Sequence, residues 1–446
     1  MTETHGLRKD SGQDCVSLHN YLVALFIIKQ QVYKQMKSTL LRTTLILSLL
    51  FLLLNCNSNS TKKKVAKTIQ NPKTSLLRQY DSIQTPKIHQ WFKNLYSTSR
   101  FTGNILVAQN GIIVYENSYG YANYALKDTL TLEHKFQIGS VSKQFTSMAI
   151  MILKEKDLLD YQDNIKRYIP HFPYENITIY QLLTHRSGLS NYNYFSDEYT
   201  DKETTIYNKD VVNMIIDSVP LPYYQPNFKF NYCNTNYVLL ADIVERISGI
   251  AFEKFVKKEI FQKAGMLNSQ IYVKGKQERI YKAATGYHFK WLVAQHSYQD
   301  GVTGDKGVYT TVEDLFRWDK ALYKNKIVNK STLEEAFLPA QPEKKGNLNY
   351  GFGWRLRTCI DGSKLIFHGG WWRGFNALFI RDIKNKVTII ILSNIRTRSI
   401  SNSFRDLLGI FDHERQQEQI DLEEKMAALE IEKPDSVVES GVNTLN

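Results

Sequence analysis

Two apolar runs flank Asn110-Gly111 in the stretch "GNILVAQNGIIVYENSYGYAN" (103–123). Strand-forming residues on both sides of an Asn-Gly pair predict a tight hairpin, because that pair accepts the positive φ angles of a two-residue turn. The period then changes: Phe145, Met148, Ala149 and Ile152 recur at helical spacing. Residues 140 to about 155 therefore predict a buried helix with Ser140 in its first turn. From roughly 150 to 300, helical patterns and turn-rich loops follow one another without strand alternation. From Tyr350 onward the chain reads as strands again, in "YGFGWRLRT", "KLIFHGG", "GFNALFIRD" and "KVTIIILSNI", with turn signals at Asp361-Gly362 and from Asp382 to Asn385. A hairpin at one end and a meander at the other predict one antiparallel sheet assembled from both ends of the domain. The expected class is α+β, an α/β sandwich with an antiparallel sheet and a helical lobe inserted as its middle.

Hydropathy also predicts an address. Met36-Lys37 opens "MKSTLLRTTLILSLLFLLLNCNSNSTKKK", in which a charged start precedes a twelve-residue apolar stretch, Thr43 to Leu54, and then Cys56. An apolar run of that length suits a signal-peptide core better than a membrane span. Residues 1–35 do not fit ahead of an export signal, and the expectation is that Met36 is the true start. Leu53-Leu54-Asn55-Cys56 resembles a bacterial lipoprotein box, which implies lipidation of Cys56 and a membrane anchor, with an uncleaved anchor or simple secretion as alternatives. Residues 57–85, rich in Ser, Asn, Thr and Lys, predict a flexible tether. The main domain is expected over 86–411, followed by an acidic tail over 412–446.

The formal charge of +13 raises the question of nucleic acid. Its distribution argues against it: residues 1–85 carry 12 Lys/Arg against 4 Asp/Glu, and residues 412–446 carry 3 against 10. The middle keeps a mild excess with no dense basic run or nucleic-acid-binding motif, which fits solubility or an anionic surface better than base recognition. Of four cysteines, Cys233 and Cys359 fall in the domain, without metal-ligand spacing, and no disulfide between them is expected.

Ser140 and Lys143 form a Ser-x-x-Lys pair at the start of the predicted helix, where residues three apart share a face. Spacing alone does not decide, since Ser60 and Lys63 repeat it in a polar lysine cluster. Context decides: Ser140-Val141-Ser142-Lys143 is followed by Tyr232-Cys233-Asn234 and then by His368-Gly369-Gly370. Other Tyr-x-Asn triplets occur at Tyr115, Tyr121, Tyr174 and Tyr323, but the one at Tyr232 precedes an amphipathic helix marked by Tyr237, Leu240, Ile243 and Ile247.

These motifs in this order resemble the serine β-lactamase and penicillin-binding-protein family, in the branch of class C β-lactamases, D-Ala-D-Ala carboxypeptidases, D-amino-acid peptidases and esterases. "QLLTHRSGLSNY" (181–192) and "GDKGVYTTVEDLFRWDKAL" (304–322) resemble two further segments of that family. The resemblance spans about 85 to 410. It implies a β-lactamase/transpeptidase-like fold, an acyl-enzyme on Ser140 and no metal or organic cofactor. A serine hydroxyl is a weak nucleophile until a neighbouring base takes its proton. Lys143 and Tyr232 can each serve, and a proton shared between them belongs to the pair. Tyr232 is then expected to protonate the leaving group and to help activate water. The resemblance further implies an oxyanion hole from the backbone N–H groups of Ser140 and Trp371, each donor being worth about 3 kcal/mol, and gives Asn234 the task of orienting Lys143 or holding the substrate amide.

The third motif departs from the Lys-Thr-Gly of class C β-lactamases. His368 replaces a cation with a largely neutral ring and the hydroxyl is gone, which disfavours efficient β-lactam turnover and leaves acyl transfer intact. His368, Gly370 and Trp371 are expected to contact substrate. Trp371 and Trp372 either wall the acyl group or pack as core aromatics. His185 is expected to brace the helical lobe, and Cys233 to pack. The reading is an exported bacterial serine hydrolase acting on an ester or amide of a small molecule or peptide, with the cell wall as one expected source. The alternatives are a weak β-lactamase and an inactive binding protein. A metal hydrolase is disfavoured, since the ten histidines include no His-Glu-x-x-His.

Overall fold

The computed structural model describes residues 29–31, 33–36, 84–99, 101–275, 280–341, 348–359, 362–396 and 407–411. The chain divides into two compact units, 1–69 and 70–446. In the first, residues 29–31 and 33–36 are helical. The signal segment beyond Met36, Cys56, the tether up to residue 83 and the tail from 412 lie outside the described residues.

In the second unit, helix α1 (Gln84–Ser99) leads into strands β1 (Gly103–Gln109) and β2 (Ile112–Tyr119). The helix begins two residues ahead of the expected domain start. Its warrant was present in the spacing of Ile88, Phe92 and Leu95, all buried. The hairpin turn is Asn110-Gly111, with φ of 52° and 73°, as the dipeptide predicts. The late strands are β3 (Leu348–Tyr350), β4 (Arg355–Thr358), β5 (Lys364–Trp372), β6 (Phe375–Asp382) and β7 (Val387–Ser393). They join the hairpin in one seven-stranded antiparallel sheet of order β3-β4-β5-β6-β7-β1-β2. The first and last strands of the domain pair directly, from Gly103 opposite Ser393 to Gln109 opposite Val387.

Both faces of this sheet are covered, which is why "KVTIIILSNI" holds four apolar residues in a row, Ile389 to Leu392, instead of alternating. Val387, Ile389 and Ile391 enter one hydrophobic cluster with Ile88, Phe92, Ile105 and Val107 of α1 and β1. Their neighbours Ile390 and Leu392 enter the other cluster with Leu106, Ala108 and the helices of the middle segment. Cys233 and Cys359 are thiols, one in each cluster, and form no disulfide.

The middle of the chain supplies α2 (Lys143–Glu155), α3 (Asn208–Ser218), α4 (Asn234–Ser248) and α5 (Val312–Tyr323), with shorter helices between them. In α2 every residue from Lys143 to Leu153 is buried. It is a central helix, enclosed on all sides, and the apolar stripe seen in the sequence is only part of its buried surface. Helix α4 stops at Gly249, whose φ of +66° closes the last turn.

Candidate active site

Ser140 sits in a 3-10 turn, Gly139–Ser142, immediately ahead of α2. The turn is anchored from both sides: Ile138 N donates to Val308 O at 3.0 Å, and Val308 N donates to Ser142 Oγ at 3.2 Å. One turn on, Lys143 is fully buried. Its Nζ donates to Ser140 Oγ at 3.0 Å, Asn234 Oδ1 at 2.8 Å and the carbonyl oxygen of Asp305 at 2.9 Å. An ammonium group has three donors, and all three are used. Lys143 is therefore held in one orientation with one of its three contacts on the serine hydroxyl.

Asn234 opens α4 and is held in turn by Asn193, whose Oδ1 accepts from Asn234 Nδ2 at 2.7 Å. Residues 185–192 clamp the same helix start. His185 Nδ1 accepts from Cys233 N at 3.1 Å. Ser187 Oγ donates to Asn236 Oδ1 at 2.6 Å, and Thr235 Oγ1 donates to Ser190 O at 2.7 Å. This is the structural content of the Leu-Leu-Thr-His stretch. His185 is buried, and desolvation, then the electrostatic influence of Lys143, His368 and Arg355, hold it well below the usual imidazole range. Its ring centre lies 4.2 Å from that of Tyr232, tilted by 39°, and its hydrogen bond from Cys233 N ties residue 185 to the start of α4.

Tyr232 lies between two cations, with Lys143 Nζ 5.0 Å and the Arg355 guanidinium 5.5 Å from its ring centre. Its hydroxyl oxygen is buried and has no hydrogen-bond partner among the described residues. Arg355, on β4, is half-buried. Among the described residues it has no carboxylate partner.

On the other side of Ser140, the end of β5 comes against the 3-10 turn. A Cβ on Gly370 would stand 1.9 Å from Ile138 O and 3.0 Å from Ser140 N, and one on Gly139 would stand 2.5 Å from Trp371 N. Two glycines facing each other let the two backbones approach. The approach sets the backbone nitrogen of Ser140 beside Gly370 and that of Trp371 beside Gly139; these are the two nitrogens expected to serve as oxyanion donors.

His368 differs from expectation. It is 1% exposed, with Nε2 3.0 Å from Tyr350 Oη and Nδ1 2.5 Å from Gly369 O. Burial, then the charges of Arg355 and Lys143, hold it well below the usual imidazole range. Both ring nitrogens are engaged, so the ring supports β5 from beneath; its expected contact with substrate gives way to that role. Trp371 is 51% exposed, with the Arg396 guanidinium 4.7 Å from its ring. Trp372 is half-buried and donates Nε1 to Asp300 Oδ1 at 2.8 Å.

Across this domain the family model described as Beta-lactamase matches residues 88–406. The chain belongs to the β-lactamase family. Its members are serine hydrolases, and the fold is the β-lactamase/transpeptidase-like one anticipated from the motifs. The chain is 36% identical over 316 residues to penicillin-binding protein 4* of Bacillus subtilis, covering 68% of this chain and 70% of that protein. It is 23% identical to the D-aminopeptidase of Brucella ovis, over 66% of this chain and 56% of that one. Among solved structures, the octameric penicillin-binding protein homologue from Pyrococcus abyssi matches with a TM-score of 0.63 and 26% identity, covering 72% of this chain and 76% of that one.

The sequence reading missed Arg355, Tyr350, Tyr192, Asn193, Asp305 and Lys306. Five of these lay inside stretches already quoted: Tyr192 ends "GLSNY", Asp305 and Lys306 follow the first glycine of "GDKGVY", and Tyr350 and Arg355 belong to "YGFGWRLRT". Arg355 carried no local signal, because it reaches Tyr232 only through the pairing of β4 with β5, Arg355 opposite Phe367.

Proposed function

We propose that this protein hydrolyses an ester or amide through an acyl-enzyme on Ser140. The observation that carries the reading is the triple engagement of Lys143 Nζ with Ser140 Oγ, Asn234 Oδ1 and Asp305 O. In the form of the Lys143–Tyr232 pair that lacks one proton, the pair acts as one unit and accepts the Ser140 proton as Oγ attacks the carbonyl carbon. The oxyanion of the tetrahedral intermediate is received by the N–H groups of Ser140 and Trp371. The proton passes through Tyr232 to the leaving nitrogen or oxygen as that bond breaks. Water, deprotonated by the same pair, then releases the acyl group.

Arg355 refines the substrate. A half-buried guanidinium that has no carboxylate partner among the described residues, beside the Tyr232 ring, suits a carboxylate on the leaving group, which favours a peptidase of carboxypeptidase type over an esterase for neutral esters. Trp371, exposed beside the oxyanion donor, supplies an apolar wall. We place the enzyme outside the cytoplasm of a bacterium, anchored through Cys56, where peptides of the cell wall carry such carboxylates. No metal or organic cofactor and no nucleic acid enters this reading.

Intact-mass labelling with a fluorophosphonate tests the core of it. One adduct on the wild-type chain that disappears in Ser140→Ala is the expected result; an adduct that survives in Ser140→Ala places the nucleophile elsewhere. Paired D-amino-acid peptides with a free or an amidated C-terminus test the refinement. The free acid is expected to be preferred roughly tenfold or more, and Arg355→Gln to remove the preference, since charge-assisted hydrogen bonds to carboxylates are worth about 1.5–3 kcal/mol.

A further inference from the structure

The acyl-transfer reading leaves a second buried ammonium group unused. Lys306 is 3% exposed. Its Nζ donates to Tyr192 Oη at 2.5 Å and stands 3.5 Å from Asp305 Oδ1, while Tyr192 Oη donates to Asp305 Oδ2 at 2.8 Å. The same Nζ lies 4.7 Å from the ring centre of Trp372. Trp372 is fixed by its hydrogen bond to Asp300, whose other oxygen accepts from Ser297 N at 2.8 Å and lies 3.1 Å from His296 Nδ1. Burial lowers the proton affinity of Lys306, and the charges of Asp305 and Asp300 oppose that.

Stability alone is a poor reason for such a cluster. A buried ion pair is often replaced by apolar side chains at no loss, because desolvating two charges offsets their attraction. Position is the better reason. The carbonyl oxygen of Asp305 is one of the three acceptors of Lys143 Nζ. Its neighbour Gly304 is wedged between helices: Thr146 Oγ1 donates to Gly304 O at 2.6 Å, and a Cβ on Gly304 would stand 2.3 Å from Tyr237 O. Trp372, on the opposite side of Lys306, directly follows Trp371, whose N–H completes the proposed oxyanion hole. Lys306 thus touches the segment that orients the base and the strand end that carries the oxyanion donor.

We propose that Lys306 is a positioning residue that holds these two parts in register, through Asp305 and Tyr192 on one side and through the Trp372 ring on the other. The inference rests on the acyl-enzyme reading of Ser140 for its kinetic consequence. Lys306 does not itself touch the reacting atoms. Its loss lets the Asp305 carbonyl and the end of β5 move independently, and a misplacement of about 1 Å at the chemistry costs on the order of 100-fold in rate.

The experiment is fluorophosphonate labelling of the full chain, with saturation kinetics that separate reagent binding from the chemical step, on wild type, Lys306→Met, Lys306→Arg and Tyr192→Phe. Tyr192→Phe keeps the ring and both charges and removes only the bridging hydroxyl, so it carries the test if Lys306→Met does not fold. The expected result is a chemical step slowed about 10- to 100-fold in Lys306→Met and Tyr192→Phe with binding within about threefold, and partial recovery in Lys306→Arg. A chemical step within about threefold of wild type in a folded variant overturns the proposal, as does a change confined to binding. If the wild type is not labelled at all, the acyl-enzyme reading fails by itself. A crystal structure of Tyr192→Phe then decides the inference separately: Lys143 Nζ leaving the Asp305 carbonyl supports it, and an unmoved pair refutes it.

Discussion

Replacing Gly370 by alanine tests the joint between β5 and the Ser140 turn. The new methyl carbon would stand 1.9 Å from the carbonyl oxygen of Ile138 and 3.0 Å from the nitrogen of Ser140. A carbon and an oxygen in ordinary contact lie about 3.3 Å apart, so the strand end must retreat from the turn by about 1.4 Å. Neither side can yield cheaply, since both contacting atoms are backbone and the turn is tied to Val308 by two hydrogen bonds. Overpacking of this kind costs about 1–3 kcal/mol of stability, which a chain of this size tolerates. The N–H of Trp371 moves with the strand, and losing one oxyanion donor costs roughly 100- to 1,000-fold in acyl transfer. The assay is the rate of Ser140 acylation by a fluorophosphonate or an activated ester, alongside a urea titration that confirms folding. Gly369→Ala is the control, since its Cβ meets only Ala377 O at 3.8 Å, and it should lose less than about fivefold, the strand geometry being unstrained. A folded Gly370→Ala protein acylated within threefold of wild type, a margin of about 0.7 kcal/mol, would falsify the assignment of Trp371 as a donor.

Two further predictions separate chemistry from stability. Tyr232→Phe removes a buried hydroxyl that has no partner among the described residues, so stability should stay level or rise by up to about 1 kcal/mol, while turnover falls about 100- to 10,000-fold; a parallel loss of both in urea titration and kinetics would point to a structural hydroxyl. Acidification should weaken the fold, because His185 and His368 are held below the ordinary value of 6.5 by burial and by neighbouring cations. Below pH 6.5 the unfolded chain takes up protons at these two sites that the folded chain does not, so unfolding free energy drops by up to about 2.7 kcal/mol per pH unit until the folded sites titrate. Denaturant titrations at pH 7.5 and 5.5 check the sign, and greater stability at the lower pH would exclude neutral buried rings.

The contrast between β7 and Arg355 shows where sequence reading succeeds and where it stops. A run rich in β-branched residues such as "KVTIIILSNI" announces a strand, because residue type and backbone period are local properties; that both its faces are buried appears only in the folded sheet. Ser140, Lys143, Tyr232 and Asn234 were legible because short motifs fix their own geometry: a helix start sets the Ser140 to Lys143 spacing, and a helix N-terminus places Asn234. Helix α1 was legible too, through the spacing of Ile88, Phe92 and Leu95, and was passed over.

The tertiary structure alone decided everything that depends on distant segments meeting. His368 and Arg355 carry no local mark of their surroundings: His368 is buried with Nε2 against Tyr350 Oη, and the pairing of β4 with β5, Arg355 opposite Phe367, brings Arg355 beside Tyr232. Gly139 and Gly370 lie far apart in the chain, and only the packed sheet edge shows that each is glycine so that the other's neighbour can approach. Lys306 reads as an ordinary charged residue until burial removes water from it and leaves Asp305, Tyr192 and Trp372 as its surroundings. Local period was enough for the strands at both ends of the domain and the helix after Ser140, and the order of three short motifs was enough to single out Ser140, Lys143 and Tyr232 as candidates. Burial, charge environment and the close approach of the β5 end to the Ser140 turn are sums over residues remote in sequence, and those emerge only when the chain is folded.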